Sequence, residues 1–141
     1  HTAQIITYML LYGEWSVSLP IVKRQALEYQ TVEGRSPFND WICSLRDIRA
    51  KAKITRAVTQ MEAGNFGDRK VISQGQGLYE RRIHNGPGYR IYYICDHDHL
   101  IILFGGSDKG NQDQAIQAAK SFLKDYRARQ NAIGQATEGG A

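Results

Sequence analysis

Two strongly β-forming runs, Tyr89–Cys95 (YRIYYIC) and Leu100–Phe104 (LIILF), are separated only by Asp96-His97-Asp98-His99. Tyrosine and β-branched residues at this density favour strands. A four-residue connection makes the pair an antiparallel hairpin, and any fold for this chain is built around it. Cations mark both ends. Arg81, Arg82 and Arg90 stand before and at the start of the first run, and Lys109 follows the second, behind Gly105-Gly106. A sheet edge that gathers cations beside glycines is a candidate phosphate-handling surface.

The remaining elements follow from periodicity. Leu27–Val32 alternates apolar and polar residues, the pattern of a strand with one buried face. Ser36-Pro37 is a helix start, and Phe38, Trp41, Ile42 and Leu45 form one apolar stripe behind it. Asp47 interrupts. A second helix places Ile54, Ala57, Val58 and Met61 on one face and ends at Gly64-Asn65. Short strands are expected at Lys70–Ile72 and Leu78–Ile83, with turns at Gly75-Gln76-Gly77 and Asn85–Gly88. A last helix from about Gln112 to Gln130 turns Ile116, Ala119, Leu123 and Tyr126 inward. Residues 131–141, rich in Gly and Ala, read as a disordered tail, and residues 1–24 as an N-terminal extension of unassigned structure. The order β-α-α-β-β-β-β-α, with strands in runs, predicts an α+β fold over residues 25–130. Its sheet is mainly antiparallel and twisted, with a helical hairpin and a C-terminal helix packed on one face.

A chain of 141 residues suits one domain that buries roughly two thirds of its unfolded surface. Its 23% charged and 42% hydrophobic residues are ordinary for a soluble protein. The apolar stretch Ile5–Leu11 is too short to span a bilayer and has no basic segment before it, so it is not expected to be a signal peptide. The expected compartment is the cytoplasm, with no membrane partner. Cys43 and Cys95 are expected to be buried thiols, and with no other cysteine they suggest no zinc site. The net charge of +4 is unevenly spread. Residues 46–90 hold ten cations against four anions, while the flanking segments are each slightly acidic. That concentration favours an anionic partner, nucleic acid above all. Arg46, Arg49, Lys51, Lys53 and Arg56, mostly off the apolar stripe of the second helix, are its candidate contacts. Asp96, His97, Asp98 and His99 resemble metal ligands on paper, but alternation in a tight hairpin sends neighbours to opposite faces. No metal and no cofactor are expected.

Four stretches in this order resemble the RelE/ParE superfamily of toxins, and most of all its HigB-like addiction-module killer branch. They are Phe38–Asp47, Gly64–Asp68, Arg82-Ile83 with Gly86–Tyr92, and Leu103–Lys109 followed by Gln112. The resemblance covers about residues 27–127. It implies the toxin of a type II toxin–antitoxin module, an mRNA interferase that enters the ribosome, cleaves mRNA and halts translation. A cognate antitoxin, often a small helix-turn-helix protein, would hold it inactive. The ParE branch instead poisons DNA gyrase, and a non-catalytic member would only bind, so fold alone does not choose. The N-terminal extension is open to covering the site, replacing an antitoxin contact or forming a homodimer interface.

Cleavage of this kind uses the neighbouring 2′-OH as nucleophile. It needs a base for that hydroxyl, cations for the phosphorane and an acid for the leaving oxygen. The resemblance assigns Arg82 and Arg90 to the phosphate, Lys109 to the leaving group and Lys70 to the base. Lys70 could act so only if burial and crowding by Arg81 and Arg82 favour its neutral form. Arg81, His84 and Tyr92 are further candidates for RNA contact, His84 for acid–base work and Tyr92 for stacking. Each has a structural rival, such as an Arg90–Glu80 pair across the sheet. Several relatives carry a terminal histidine or tyrosine for proton transfer. Here the last helix offers only Tyr126, so electrostatic catalysis is the expectation.

Overall fold

The computed structural model describes residues 24–139. Its elements are β1 (Gln25–Glu28), α1 (Pro37–Ser44), α2 (Ile48–Glu62), β2 (Arg69–Val71), β3 (Tyr79–Ile83), β4 (Tyr89–Asp96), β5 (Leu100–Asp108) and α3 (Gln112–Gly139), with a 3-10 turn at Lys109–Asn111 before α3. This is the α+β order read from the sequence. The five strands form one sheet in the order β1-β5-β4-β3-β2, antiparallel throughout except for the β1–β5 pair. The expectations placed on residues 1–23, the N-terminal extension among them, lie outside the described residues.

Local chemistry fixes the helix starts. The Ser36 side chain accepts the Asn39 N–H at 3.0 Å, and Pro37 opens α1. Asp47, an interruption in the apolar pattern, is the N-cap of α2. Its Oδ1 accepts from the backbone N–H of Arg49 at 2.9 Å and of Ala50 at 3.3 Å. These bonds satisfy amides that a helix cannot satisfy internally.

The helices do not share one face of the sheet. The α1–α2 hairpin packs Phe38, Ala50, Ile54, Ala57 and Met61 against Ile91, Tyr93, Ile101 and Leu103. On the other face α3 packs Ala119, Leu123 and Tyr126 against Tyr92, Ile94, Ile102 and Phe104. The reason lies in β4 and β5, whose consecutive residues are apolar and therefore need cover on both sides. Hydroxyl bonds pin α3 in place. Tyr29 donates to Asp125 Oδ2 at 2.6 Å, and Tyr126 donates to Asp96 Oδ2.

Other expectations shift. The first strand is Gln25–Glu28 rather than Leu27–Val32. The chain leaves β5 after Tyr29 and turns, with Thr31 N–H bonded to the Arg35 carbonyl at 2.8 Å, so Val32 is 78% exposed. Cys43 and Cys95 are both exposed. Cys43 lies off the α1 stripe, and Cys95 stands near the end of β4. Helix α3 continues past Gln130 to Gly139, because Ala and Gln are good helix formers and one Gly costs only about 1 kcal/mol. Among the described residues no helix is long and apolar enough to cross a membrane.

The glycine pair has a packing role. The register passes from Tyr93↔Leu103 to Tyr92↔Gly105, leaving Phe104 as the extra residue of a bulge with Gly105 at φ 152°. Gly106 lies under the Trp41 ring, and a Cβ there would stand 2.2 Å from it. Gly106→Ala is expected to destabilise the fold by about 1–3 kcal/mol through overpacking, read as a lower urea midpoint with unchanged m-value.

Burial also sets the alkaline limit. It pushes the Tyr93 phenol up to about 12, and it is the leading cause that raises Tyr92, Tyr29 and Tyr126 above the ordinary 10.0. A raised folded pKa contributes stability that is complete below the unfolded value and lost as pH rises through the folded one. Stability should therefore fall between pH 10 and 12. Absorbance titration of tyrosinate should show a late class that ionises only with unfolding; simple ionisation of every tyrosine near pH 10 without unfolding would contradict it.

Candidate functional site

Strand parity builds the site. On β3, Glu80 and Arg82 face α3, while Arg81 faces α2. Arg82 is in register with Arg90 on β4, and Arg90 with Ser107 on β5. Glu80 is 2% exposed and its carboxylate is the hub. Oε1 accepts Arg82 Nε at 3.1 Å, and Oε2 accepts Gln112 Nε2, from the start of α3, at 3.2 Å. Arg90 Nε lies 3.6 Å from Oε2, an ion pair too long for a hydrogen bond, and is buried without a hydrogen-bond partner among the described residues. One carboxylate thus serves two guanidiniums, leaving a local excess of positive charge.

That excess opens into a cleft of about 250 Å³ lined by Arg82, Ile83, His84, Gly88, Tyr89, Arg90 and Lys109. The Lys109 amide is fixed by the Gly88 carbonyl at 3.1 Å, which brings the β5–α3 turn to the β3–β4 turn. Arg82, Arg90, Lys109 and His84, nominated separately from the sequence, share this cleft. His84 Nε2 is 2.7 Å from Asp68 Oδ2. The bond to His84, with the charges of Arg82 and Arg81 adding to it, holds the Asp68 carboxyl below its ordinary value. Arg82 and His84 also line a neighbouring cleft of about 330 Å³ with Lys53 and Arg56 of α2. Lys53 Nζ donates there to Asn85 Oδ1 at 3.0 Å. Arg46, Arg49 and Lys51 line neither cleft.

Three nominated residues are placed otherwise. Tyr92 is fully buried, its hydroxyl 2.9 Å from Ser107 Oγ, so it cannot stack on a base. Arg81 is 8% exposed. Its guanidinium bonds the Asn65 carbonyl at 3.3 Å and Gln60 Oε1 at 2.9 Å, and it lies across Gly67, where a Cβ would come within 2.3 Å. Burial lowers its pKa, and its role is to tie the α2–β2 connection to the sheet. Lys70 is outside the arginine cleft and in register with Glu80. Its cross-strand neighbour is a carboxylate, Arg81 points to the other face, and Lys70 shares a separate cleft with Glu80, Gln112 and Lys120.

Sequence reasoning treated Glu80 only as a rival partner for Arg90 and gave Gln112 no site role. Period-two alternation on β3 was the available signal, because it places Glu80 and Arg82 on one face opposite Arg90. Among the described residues no group of three or more His, Cys, Asp or Glu side chains could hold a metal ion.

No family model matches the chain. A protein of Haemophilus influenzae (strain ATCC 51907 / DSM 11121 / KW20 / Rd), itself described as an uncharacterized protein, is 42% identical over 88 residues, or 62% of this chain and 87% of that protein. The chain belongs to its family. At this identity the two share a fold, and the match carries no activity with it.

Removing the hub leaves two cations without their counter-charge. Glu80→Ala is expected to cost on the order of 3 kcal/mol, as for other broken buried ion pairs. Arg82→Ala should cost less, because that side chain is 32% exposed and solvent screens it. Denaturant unfolding of the two variants checks the order.

Proposed function

We propose that this protein is the toxin of a type II toxin–antitoxin module, a HigB-like member of the RelE/ParE superfamily that cleaves mRNA on the ribosome. The observation that carries the reading is the convergence of Arg82, Arg90 and Lys109 on one cleft. A mixed α+β fold with a mainly antiparallel sheet supports it, and Lys53 and Arg56 of α2 extend the positive surface from the cleft's edge.

The chemistry follows from the cleft. The 2′-oxygen of one nucleotide attacks the adjacent phosphorus. The O2′–P bond forms, the P–O5′ bond breaks, and a 2′,3′-cyclic phosphate remains. One proton leaves O2′ for the base, and O5′ takes another from solvent. The N–H groups of Arg82 and Arg90 not bonded to Glu80 match the equatorial phosphate oxygens and hold the charge that grows there. Lys109, at the rim, supplies charge beside the leaving oxygen. His84 takes the base role first assigned to Lys70. Imidazole suits proton transfer near neutral pH, and Asp68 orients this one.

The test is induced expression in bacteria of the wild type beside Arg90→Ala/Lys109→Ala, with translation rate followed and mRNA 5′ ends mapped. Growth arrest with new cuts at in-frame codon positions, absent from the double variant, is the expected result. His84→Ala should slow cleavage by roughly a hundredfold or more. One observation favours a second, non-catalytic reading: both arginines already face Glu80, as in a structural ion-pair network. Arrest with DNA damage and no cuts would move the protein to the gyrase-inhibitor class. Folded, soluble protein with neither effect would leave a binding role.

A further inference from the structure

A second cleft of about 430 Å³ lies on the other side of the turn that carries Lys109. It is lined by Trp41, Ser44, Leu45, Gly106, Asp108, Asn111 and Gln114, among others. Topology creates it. β1 pairs with β5 only from Leu100 to Leu103, so the outer edge of residues 104–108 has no strand beside it. α1 flanks that edge from one face of the sheet and the start of α3 from the other.

The lining is specific in kind. Trp41 is half-buried and rigid. It sits on Gly106, where no side chain fits beneath it, and its ring packs against Phe38 and Tyr89 at centroid distances of 6.0 and 6.3 Å. Ser44 Oγ donates to the Trp41 carbonyl at 2.6 Å. Asp108 Oδ1 accepts both the backbone N–H and the Nδ2 of Asn111, at 3.0 and 2.9 Å, so the carboxamide is oriented and its oxygen is left as an acceptor. Gln114 is exposed and makes no side-chain hydrogen bond among the described residues. An indole face with two carboxamides beside it is the chemistry that receives an unstacked nucleobase, the ring by stacking and its edge by hydrogen bonds.

We propose that this cleft binds a nucleobase of single-stranded RNA next to the phosphate held by Arg82, Arg90 and Lys109. The inference rests on the preceding reading for that phosphate and adds the part of the substrate that carries sequence. The Asp108–Asn111 turn is shared by both clefts, so a strand crossing it presents a phosphate on one side and a base on the other.

Fluorescence tests this directly. Trp41 is one of two tryptophans, and in a Trp15→Phe background it is the reporter. The probes are 2′-O-methyl dinucleotides, which lack the attacking hydroxyl, and the corresponding dinucleotide with one base removed. Saturable quenching by the base-bearing probe is expected; in Trp41→Ala, which lacks the reporter, binding is followed by isothermal titration calorimetry and should weaken roughly tenfold or more, the size of a lost stacking contact. Gln114→Ala, at an exposed helical position, should weaken binding and change the preference among the four bases without affecting folding. Equal binding of the abasic probe, or no effect of Gln114→Ala on affinity and preference, overturns the base site. If that binding is still lost in Arg82→Ala and Arg90→Ala, the phosphate reading survives alone. Failure of every probe to bind at millimolar concentration overturns the inference. Quenching by an extended peptide in place of nucleotide would assign the open edge to a protein partner and overturn it too.

Discussion

The fold depends on a strand that has no polar face. β4 sends Ile91 and Tyr93 to one side and Tyr92 and Ile94 to the other, all of them buried. Each such side chain withdrawn from water contributes about 1.5–3 kcal/mol, so neither face can stay open. The α1–α2 hairpin covers one and α3 the other. Cover on the second face requires a helix that starts just past the end of β5 and runs back along the sheet, which puts Gln112 and the Lys109 turn beside the start of β4. That is where Arg90 stands. The position of the cationic cleft is therefore a consequence of how the core closes.

At that end of the sheet, parity separates residues that are adjacent in sequence. Arg81 and Arg82 differ by one position, yet one guanidinium is spent on the Asn65 carbonyl and Gln60 while the other reaches Glu80 and open solvent. Glu80 is costly to bury, and what offsets that cost is contact with two arginines and the Gln112 amide. Because the arginines outnumber the carboxylate, the network holds together and is still positive toward the cleft. A single carboxylate can thus hold both guanidiniums in place without cancelling their attraction for a phosphate.

The sequence made the elements readable where the signal was local. The β4–β5 hairpin, the Ser36-Pro37 helix start and the order of elements were all visible in short patterns. What was not visible depended on partners distant in the chain. The Leu27–Val32 alternation reads as a full strand, but the chain turns at Thr31–Arg35 and β1 pairs with β5 only as far as Leu103. Tyr92 looked available for stacking until the bulge at Phe104 and the Ser107 hydroxyl closed over it. Gly105-Gly106 reads as part of a phosphate-handling sheet edge, whereas Gly106 is required by Trp41, far earlier in the chain. In the candidate site, Arg82, Arg90 and Lys109, which stand at the ends of the β runs and are assigned by the resemblance, do share one cleft with His84. Glu80 is legible in the sequence as a partner for Arg90 across the sheet; its burial and its bonds to Arg82 and Gln112 depend on α3, which is distant in the chain.

The early end of β1 has a consequence beyond the sheet. A longer first strand would pair with residues 104–108 of β5 and close the sheet edge under Trp41. The chain instead turns away at Thr31–Arg35, and the open edge is left between α1 and α3, one turn of chain from Lys109. Phosphate-binding and base-binding surfaces demand different things, one convergent charge and the other a flat apolar face with oriented amides. On the proposed reading the two would be supplied by different elements that meet at Asp108–Asn111, so residues of α1 and of the first turn of α3 could vary in what they recognise without moving the guanidiniums beside Glu80.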